Sequence, residues 1–508
     1  VEEQLKIYER AISAAPEWQD LYLRKGELLK RNNRNDEAVK VFERAIELAR
    51  RQGDANGEAV AHFHIGTIYW AQAQSGPAGE KTADLDEEKA SKAMDRFKRV
   101  LKLLPGVRNP MTLFAQAVEA HNRGDYDEAI RLHTEAAKLN PRFAWAFFDR
   151  GSTKSAKGDY KGAIADFTKA INLNPRFAWA YNNRGLAKYE KGDYEGAIAD
   201  LTKAIELNPK LVDAYHNRGF AWDEKGEYDK AIADYTKAIE LNPKFADAYN
   251  NRGLAKVHKG DYDGAIDDFN KAIELNPRDA RAYNNRGVAW RRKGELDKAI
   301  ADYGRAIELN PNLADAYNNR GAAWLKKGES DKAIADCTKA IELNPRYARA
   351  YSNRGLAWRM KGESDKAIAD YSRAIELDPK LAKTYSNRGV AKLARGDFDG
   401  AIADFTKAIE LNLRDAKAYG ARGIAWAKKG EYDRAIADLT KAVKLNPGFW
   451  RAWYGLAAAY SLKRRRKECL EALRSLLRLN PSLKAAVRDG EGFRWLRDDA
   501  EFKRLTGR

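Results

Sequence analysis

Cysteine, methionine and histidine are scarce in this chain, and it has no long apolar run. The 508 residues include only 2 cysteines, 3 methionines and 6 histidines. Cys337 and Cys469 lie far apart at small apolar positions, so we expect neither a disulfide nor a cysteine-based metal site. Because no apolar run is long enough to cross a bilayer and no leader-like segment is visible, we expect no membrane partner and a cytoplasmic location, with the periplasm left open.

Sequence signatures of enzymes are missing as well. The chain has no phosphate-binding glycine loop, no nucleophile elbow and no zinc motif. His62 and His64 stand two residues apart in a predicted helix, so they do not share a face, and the other histidines form no cluster. We therefore predict a noncatalytic protein with no cofactor and no metal site.

Charge, in contrast, is abundant and unbalanced. The net charge of +18 favours acidic partners, such as an acidic peptide, nucleic acid or an anionic surface. Acidic and basic residues are interleaved over most of the chain, however, and the dense basic run is Lys463–Lys467. These features favour an acidic peptide and keep nucleic acid as the alternative.

Glycine and proline recur with a fixed period. A glycine that follows arginine returns every 34 residues from Gly151 to Gly423, and a second glycine follows each of them seven residues later. The phrase Leu-Asn-Pro places a proline at the same period from Pro141 to Pro345 and again at Pro447 and Pro481. A constant period of this length is typical of a stacked array of helical units.

One repeat, Ala178–Leu211, shows how each unit is built. A first helix (the A helix) is predicted from Ala178 to Lys191, and Gly192 can end it in the left-handed conformation. Asp193 suits the start of a second helix (the B helix), which carries an apolar stripe at helical spacing and stops before Pro209. Such a helix pair cannot bury its apolar face alone, so neighbouring pairs must stack.

The repeat resembles the tetratricopeptide repeat (TPR) family. Counting from Ala178 as position 1, the matching residues are Tyr181, Gly185, Ala197, Ala204 and Pro209. The resemblance implies an all-α fold, a right-handed α-solenoid of helix–turn–helix units. It also implies a concave wall formed by positions 2, 5, 6, 9, 12 and 13 of the A helices.

The resemblance divides the chain into three regions. Residues 1–109 form divergent helices of the same kind, with an inserted loop at 74–86. Residues 110–483 form the regular array, in which Leu413 replaces the expected proline, so that either the helix continues there or the junction bends differently. Residues 484–508 are predicted to form a capping helix that covers the end of the stack.

Two pairs of positions vary together. Every repeat from Arg150 to Arg422 with Arg at position 7 has Asp at position 23, and the last repeat loses both residues (Leu456 and Ala472). We interpret these as partly buried, bidentate Arg–Asp pairs between the two helices, rather than as ligand-binding arginines.

The second pair of positions is 11 and 19. Repeats with Trp at position 11 have Lys or Arg at position 19, whereas repeats with Lys at position 11 have Gly at position 19. Cation–π packing explains the first form, and intact copying of two repeat types is the alternative.

Asparagine occupies position 6 in seven successive repeats. An amide can bond both the N–H and the C=O of a peptide, so this row could hold an extended backbone whatever its sequence. The row looks like the asparagine ladder of O-linked N-acetylglucosamine transferases. The alternative is that each side chain bonds a neighbouring helix. The row consists of Asn183, Asn217, Asn251, Asn285, Asn319, Asn353 and Asn387.

Charges on the same wall are segregated. An acidic stretch (Asp213, Asp223, Glu224 and Asp247) precedes a basic one, and the basic one is expected to attract anions. Its composition resembles the carboxylate clamp of TPR co-chaperones, although Asn353 stands where that clamp has a second cation. The basic residues are Arg281, Arg291, Arg292, Lys326, Arg349 and Arg359.

These observations predict a protein-interaction scaffold or adaptor. Its expected partner is a protein that contributes an extended, acidic segment, which lies on the asparagine row and is anchored by the basic stretch. Nucleic-acid binding is one alternative. Self-association into a homo-oligomer, or an engineered structural repeat, is another.

Overall fold

The predicted helix pairs recur along the whole computed structural model, which describes residues 1–73 and 87–507. No strand occurs in that part of the chain. The predicted loop 74–86 lies outside the described residues. Two compact parts are distinguished, Val1–Pro277 and Arg278–Arg508, and we call them the N-terminal half and the C-terminal half.

The N-terminal half consists of helices that pack in consecutive pairs. The helices are α1 (Glu2–Ala14), α2 (Gln19–Arg31), α3 (Asn35–Gln52), α4 (Ala55–Ala73), α5 (Glu87–Leu103), α6 (Pro110–Asn122), α7 (Tyr126–Leu139), α8 (Ala144–Ala156), α9 (Tyr160–Leu173), α10 (Ala178–Glu190), α11 (Tyr194–Leu207), α12 (Val212–Glu224), α13 (Tyr228–Leu241), α14 (Ala246–Lys259) and α15 (Tyr262–Leu275).

The C-terminal half continues the same pairing and ends in shorter elements. Its α-helices are α16 (Ala280–Lys293), α17 (Leu296–Leu309), α18 (Ala314–Lys327), α19 (Ser330–Leu343), α20 (Ala348–Met360), α21 (Ser364–Leu377), α22 (Ala382–Ala394), α23 (Phe398–Leu411), α24 (Ala416–Lys428), α25 (Tyr432–Leu445), α26 (Trp450–Leu462), α27 (Arg466–Leu479), α28 (Lys484–Asp489) and α29 (Ala500–Thr506). Two 3₁₀ turns, Pro481–Leu483 and Glu491–Leu496, lie before and after α28.

The turn inside each pair forms as the sequence predicts. Gly192 has a φ of +79°, a conformation that costs glycine little. The Asp193 carboxylate then caps α11 by accepting a bond from the Gly196 N–H at 2.9 Å. A Cβ atom on Gly185 would lie 2.8 Å from Cγ of Leu201, so glycine at position 8 lets the A and B helices approach closely.

The predicted Arg–Asp pairs are confirmed in every repeat that has both residues. Arg184, for example, donates from Nε and Nη2 to the two carboxylate oxygens of Asp200, at 2.8 and 2.6 Å. Its Nη1 also donates to Thr168 of the preceding B helix at 3.1 Å. Where the preceding B helix has Thr or Ser at this position, the arginine therefore joins its own B helix to the preceding repeat, whereas the position before Arg320 is Gly304. The aspartates are buried. The pairs are a structural feature of the stack.

The two repeat forms also have a structural basis. In the tryptophan form the cation at position 19 lies over the indole, as Lys298 does over Trp290 at 4.5 Å, which confirms the predicted cation–π packing. In the lysine form Lys188 instead bonds Asp200 at 2.8 Å. A Cβ on Gly196 would lie 2.2 Å from the capping carboxylate of Asp193, so glycine lets the carboxylate approach closely here. Repeats of the tryptophan form have Glu at that cap position.

Two details differ from the expectations that the sequence gives. Helix α23 ends at Leu411 although proline is missing, because the Asn412 side chain accepts a bond from the Arg414 N–H at 3.2 Å and fixes the turn. The predicted single capping helix at 484–508 is wrong: the tail is split into α28, a 3₁₀ turn and α29, with Gly490 between the first two. Its apolar residues, including Phe493 and Phe502, are nevertheless buried in one cluster with residues of α27.

Candidate functional site

The asparagine row in the C-terminal half links neighbouring A helices. Asn319 donates from Nδ2 to Oδ1 of Asn284 at 3.0 Å, and Asn353 donates in the same way to Asn318 at 2.9 Å. Position 6 of one repeat is thus bonded to position 5 of the preceding repeat, as the structural alternative expected. An amide has two N–H bonds and two acceptor sites, so a single interhelix bond does not use up its capacity.

In the N-terminal half the row makes the same bonds from position 6 to position 5, but two of its members are buried. Asn217 donates to Asn182 at 3.2 Å, and Asn251 bonds Nε2 of His216 at 2.9 Å. Asn183 and Asn217 are buried, so no partner can reach these two predicted contacts unless their surroundings move. Asn251 and the four members of the row in the C-terminal half, Asn285, Asn319, Asn353 and Asn387, are only half-buried.

Part of the wall in the N-terminal half is covered by the first helices of the chain. The Lys30 ammonium group of α2 lies 4.2 Å from the ring centroid of Trp145, a wall residue at position 2 of α8. Asn33, in the turn after α2, donates to the backbone oxygens of Arg176 and Leu207 at 3.3 and 3.1 Å. Sequence periodicity could not predict these contacts, because they join residues more than a hundred positions apart.

The predicted basic stretch separates into exposed and half-buried cations. Arg292, Lys326 and Arg349 are exposed, and they make no ion pair with any residue that the structure describes. Arg281 is also exposed, and its Nε lies 3.4 Å from Oδ1 of Asp279. These side chains lie on the A helices that carry Asn285, Asn319 and Asn353.

Arg291 and Arg359 have a different environment. Both are half-buried at position 12 of tryptophan-form repeats, and Arg291 donates to the hydroxyl of Tyr303 at 3.4 Å. Burial raises the pKa of Tyr371 to about 12, and the guanidinium of Arg359 beside it opposes that shift. Each of these two arginines therefore lies beside a buried tyrosine at position 24, which makes it a weaker candidate for ligand binding.

The acidic stretch contains a related pair. Asp223 stands at position 12 and the fully buried Tyr235 at position 24 of the same repeat. Burial raises the pKa of the Asp223 carboxyl to about 6, opposed by His258 and reinforced by Glu224. From Ala144 onwards, charged residues occupy position 12 only in repeats with tyrosine at position 24. This covariation could have predicted from the sequence that the two positions lie close together.

Sequence reasoning overlooked Asp315 in the basic stretch. It occupies position 2 of α18, between Arg281 and Arg349 at position 2 of the adjacent A helices, and it accepts a hydrogen bond from the Tyr347 hydroxyl. Burial raises the pKa of Tyr347, so this phenol stays protonated and can donate. A carboxylate among the clamp-like cations makes this site different from a uniform anion pocket.

The dense basic run is largely engaged within the protein. Lys463 and Arg466 form ion pairs with Asp433 and Asp499, both at 2.6 Å. Arg465 pairs with Glu468, and the Arg464 guanidinium lies 5.1 Å from the Trp495 ring centroid. Only Lys467 makes no such contact in the described part of this segment, so the run provides no open stripe for phosphates.

The helix pairs and their stacking define an α-solenoid of helical hairpins. Sequence profiles described as TPR repeat match residues 151–192, 185–222, 224–258 and 289–328. Profiles described as tetratricopeptide repeat match 19–52, 246–279, 269–301, 314–347, 348–381, 387–448 and 427–489. The chain belongs to the tetratricopeptide repeat family, and this membership supports a protein-interaction scaffold.

Several solved structures are similar to the chain, although no curated protein matches the sequence. A tetratricopeptide repeat protein from Parabacteroides merdae is 22% identical over 49% of this chain and 98% of its own, with a TM-score of 0.43. The Cut9–Hcn1 hetero-tetramer of the APC/C is 17% identical over 89% of this chain and 98% of its own, with a TM-score of 0.46. YrrB, described as a TPR protein with an unusual peptide-binding site, is 29% identical over 36% of this chain and 95% of its own, with a TM-score of 0.31.

Other kinds of site find little support. Within residues 1–73 and 87–507, no helix is both long and apolar enough to span a membrane. No group of three or more metal-ligating side chains comes together in the same residues. Burial raises the pKa of both Cys337 and Cys469 to about 12, which keeps these thiols in the unreactive protonated form at neutral pH.

Proposed function

We propose that the protein is a noncatalytic adaptor that holds an extended, acidic segment of a partner protein on the A-helix wall of its C-terminal half. One observation carries this proposal. Exposed cations without ion-pair partners among the described residues, Arg292, Lys326 and Arg349, share a wall with half-buried asparagine amides. The cations would attract the carboxylates, and the amides would bond the peptide backbone without selecting a sequence.

We propose a smaller ligand-binding set than the sequence predicts, limited to the C-terminal half. Asn285, Asn319, Asn353 and Asn387 remain as backbone contacts, with Arg281, Arg292, Lys326 and Arg349 as anionic anchors. Arg291 and Arg359 are assigned to support Tyr303 and Tyr371, and Asp315 is expected to exclude carboxylates from the position between Arg281 and Arg349. The preferred segment therefore has acidic residues that are spaced rather than continuous.

Pull-downs from untreated and from nuclease-treated lysate test the proposal with a matched pair of variants. The wall variant is Lys326→Glu/Arg349→Glu. The control variant, Arg346→Glu/Lys380→Glu, has the same change in net charge, at exposed loop residues outside the wall that make no described ion pair. We expect that the partner protein retained by the unmodified chain is no longer retained by the wall variant and is still retained by the control variant.

Two results would overturn the proposal. Equal retention by both variants, with circular dichroism unchanged, would place the binding surface elsewhere on the chain. Retention that disappears after nuclease treatment and falls steeply with salt would identify nucleic acid as the ligand.

A further inference from the structure

The asparagine row ends before the last two repeats, and the wall changes character there. Position 6 is Ala421 in α24 and Gly455 in α26, so neither repeat offers an amide. A Cβ on Gly455 would lie 3.2 Å from Cδ2 of Leu439 and 3.9 Å from Cγ1 of Ile424. Because Gly455 has no side chain, the surface at this position is shallow and apolar, whereas the repeats of the asparagine row have a polar side chain here.

Large apolar side chains on this part of the wall are exposed. Ile424, Tyr454 and Leu462 have exposed fractions of 37%, 40% and 56%. Tyr454 and Leu462 are eight residues apart in α26, so they share a face and lie about 12 Å apart along the helix. Ile424 comes from the neighbouring α24, and the Tyr454 ring is held edge-on by Phe493 of the tail at 6.2 Å.

Cations flank the exposed apolar residues at both ends. Lys417 and Arg451 stand at position 2, near the starts of α24 and α26, and Lys428 stands at the end of α24. All three are exposed, and none forms an ion pair with a residue that the structure describes. The wall positions of these two repeats contain no Asp or Glu. The surface is therefore apolar in the middle and positively charged at its ends.

We infer that this apolar surface, defined by Ile424, Tyr454 and Leu462, is a docking site for a partner segment with two bulky apolar side chains flanked by carboxylates. An extended peptide advances about 3.3 Å per residue, so the two side chains would be about four residues apart. The inference rests on the proposed function, because it describes the part of the partner that adjoins the acidic, backbone-bound segment on the same wall. The asparagine row is tolerant of sequence, and this surface supplies selectivity.

Selection of a random 12-residue phage library on the intact chain tests the inference. We expect the enriched peptides to contain two bulky apolar residues about four positions apart, with Asp or Glu outside them. The variant Ile424→Ser/Leu462→Ser should weaken such a peptide at least about tenfold, because two apolar contacts are lost. Leu413→Ser changes an equally apolar, 67% exposed residue outside the wall and should leave the affinity unchanged.

Several outcomes would contradict the inference. Enriched peptides without apolar residues, or equal affinity for the wall and control variants, would remove this site. Peptides that depend on Lys326 and Arg349 but not on Ile424 and Leu462 would leave the proposed function intact while this inference fails, and a library without enriched peptides would contradict both. Concentration-dependent dimerisation in sedimentation, abolished by Ile424→Ser/Leu462→Ser, would assign the surface to a second copy of the chain.

Discussion

The repeats in residues 144–449, called the interior repeats here, and the last repeat, Trp450–Leu483, pack their A and B helices with different side chains. Interior repeats place a bidentate Arg–Asp pair between the A and B helices, whereas the last repeat has the buried Leu456 and Ala472 there. Interior repeats have glycine at position 8, and the last has Ala457. The difference shows that the polar pair is not needed to form a hairpin, and that the array tolerates an apolar replacement when both members change.

The largest expected effect comes from breaking one interior pair. Asp438→Ala leaves the half-buried Arg422 without its carboxylate and should lower the free energy of unfolding by about 3 kcal/mol. The double variant Arg422→Leu/Asp438→Ala copies the last repeat and should cost clearly less. Urea denaturation, monitored by hydrogen exchange in α24 and α25, measures the free energy of unfolding of both variants. A double variant that is less stable than the single one would refute the interpretation of the last repeat.

Position 8 gives the next effect. In Gly423→Ala the new methyl group would lie 2.7 Å from Cγ of Leu439 and 3.2 Å from the Ala435 oxygen. Such overpacking should cost about 1–3 kcal/mol, measured by thermal unfolding. The reverse change, Ala457→Gly, should cost less, and equal losses would mean that glycine is not required for helix approach.

The charged residue at position 12 distinguishes the Asp223 repeat from the Arg291 repeat. Because the pKa of Asp223 is raised in the folded state, its neutral form favours folding, and this contribution is lost as pH rises from about 4 through 6. Asp223→Asn should therefore equal the unmodified protein near pH 4 and exceed its stability by about 1–2 kcal/mol at pH 7, after allowance for solvent screening. A stability difference independent of pH would contradict this.

Surface ion pairs between repeats should contribute least. Lys327 pairs with Asp297 of the preceding repeat, and the aspartate side chain is almost fully exposed. Lys327→Ala should lower the stability by less than about 1 kcal/mol, and less still in high salt. A loss as large as that of Asp438→Ala, in the same urea experiment, would overturn the distinction between buried and surface pairs.

Much of the fold can be predicted from periodicity alone, because each repeat makes most of its contacts within itself and with its neighbours. The coupled loss of Arg and Asp in the last repeat was enough to predict the buried pairs. The covering of Trp145 by Lys30 was beyond such reasoning, since no local pattern records a contact between distant segments. The exposed Ile424 and Tyr454 were missed because a search for recurring residues overlooks repeats in which the recurring residue is absent.

Photocrosslinking tests most directly whether the A-helix wall of the C-terminal half binds the partner. A benzophenone amino acid is placed either at Met360, exposed at position 13 of the wall, or at Lys339, exposed on the B helix α19. The account predicts that the partner retained in the pull-down crosslinks from position 360 and not from position 339. Crosslinking from position 339 alone would contradict it.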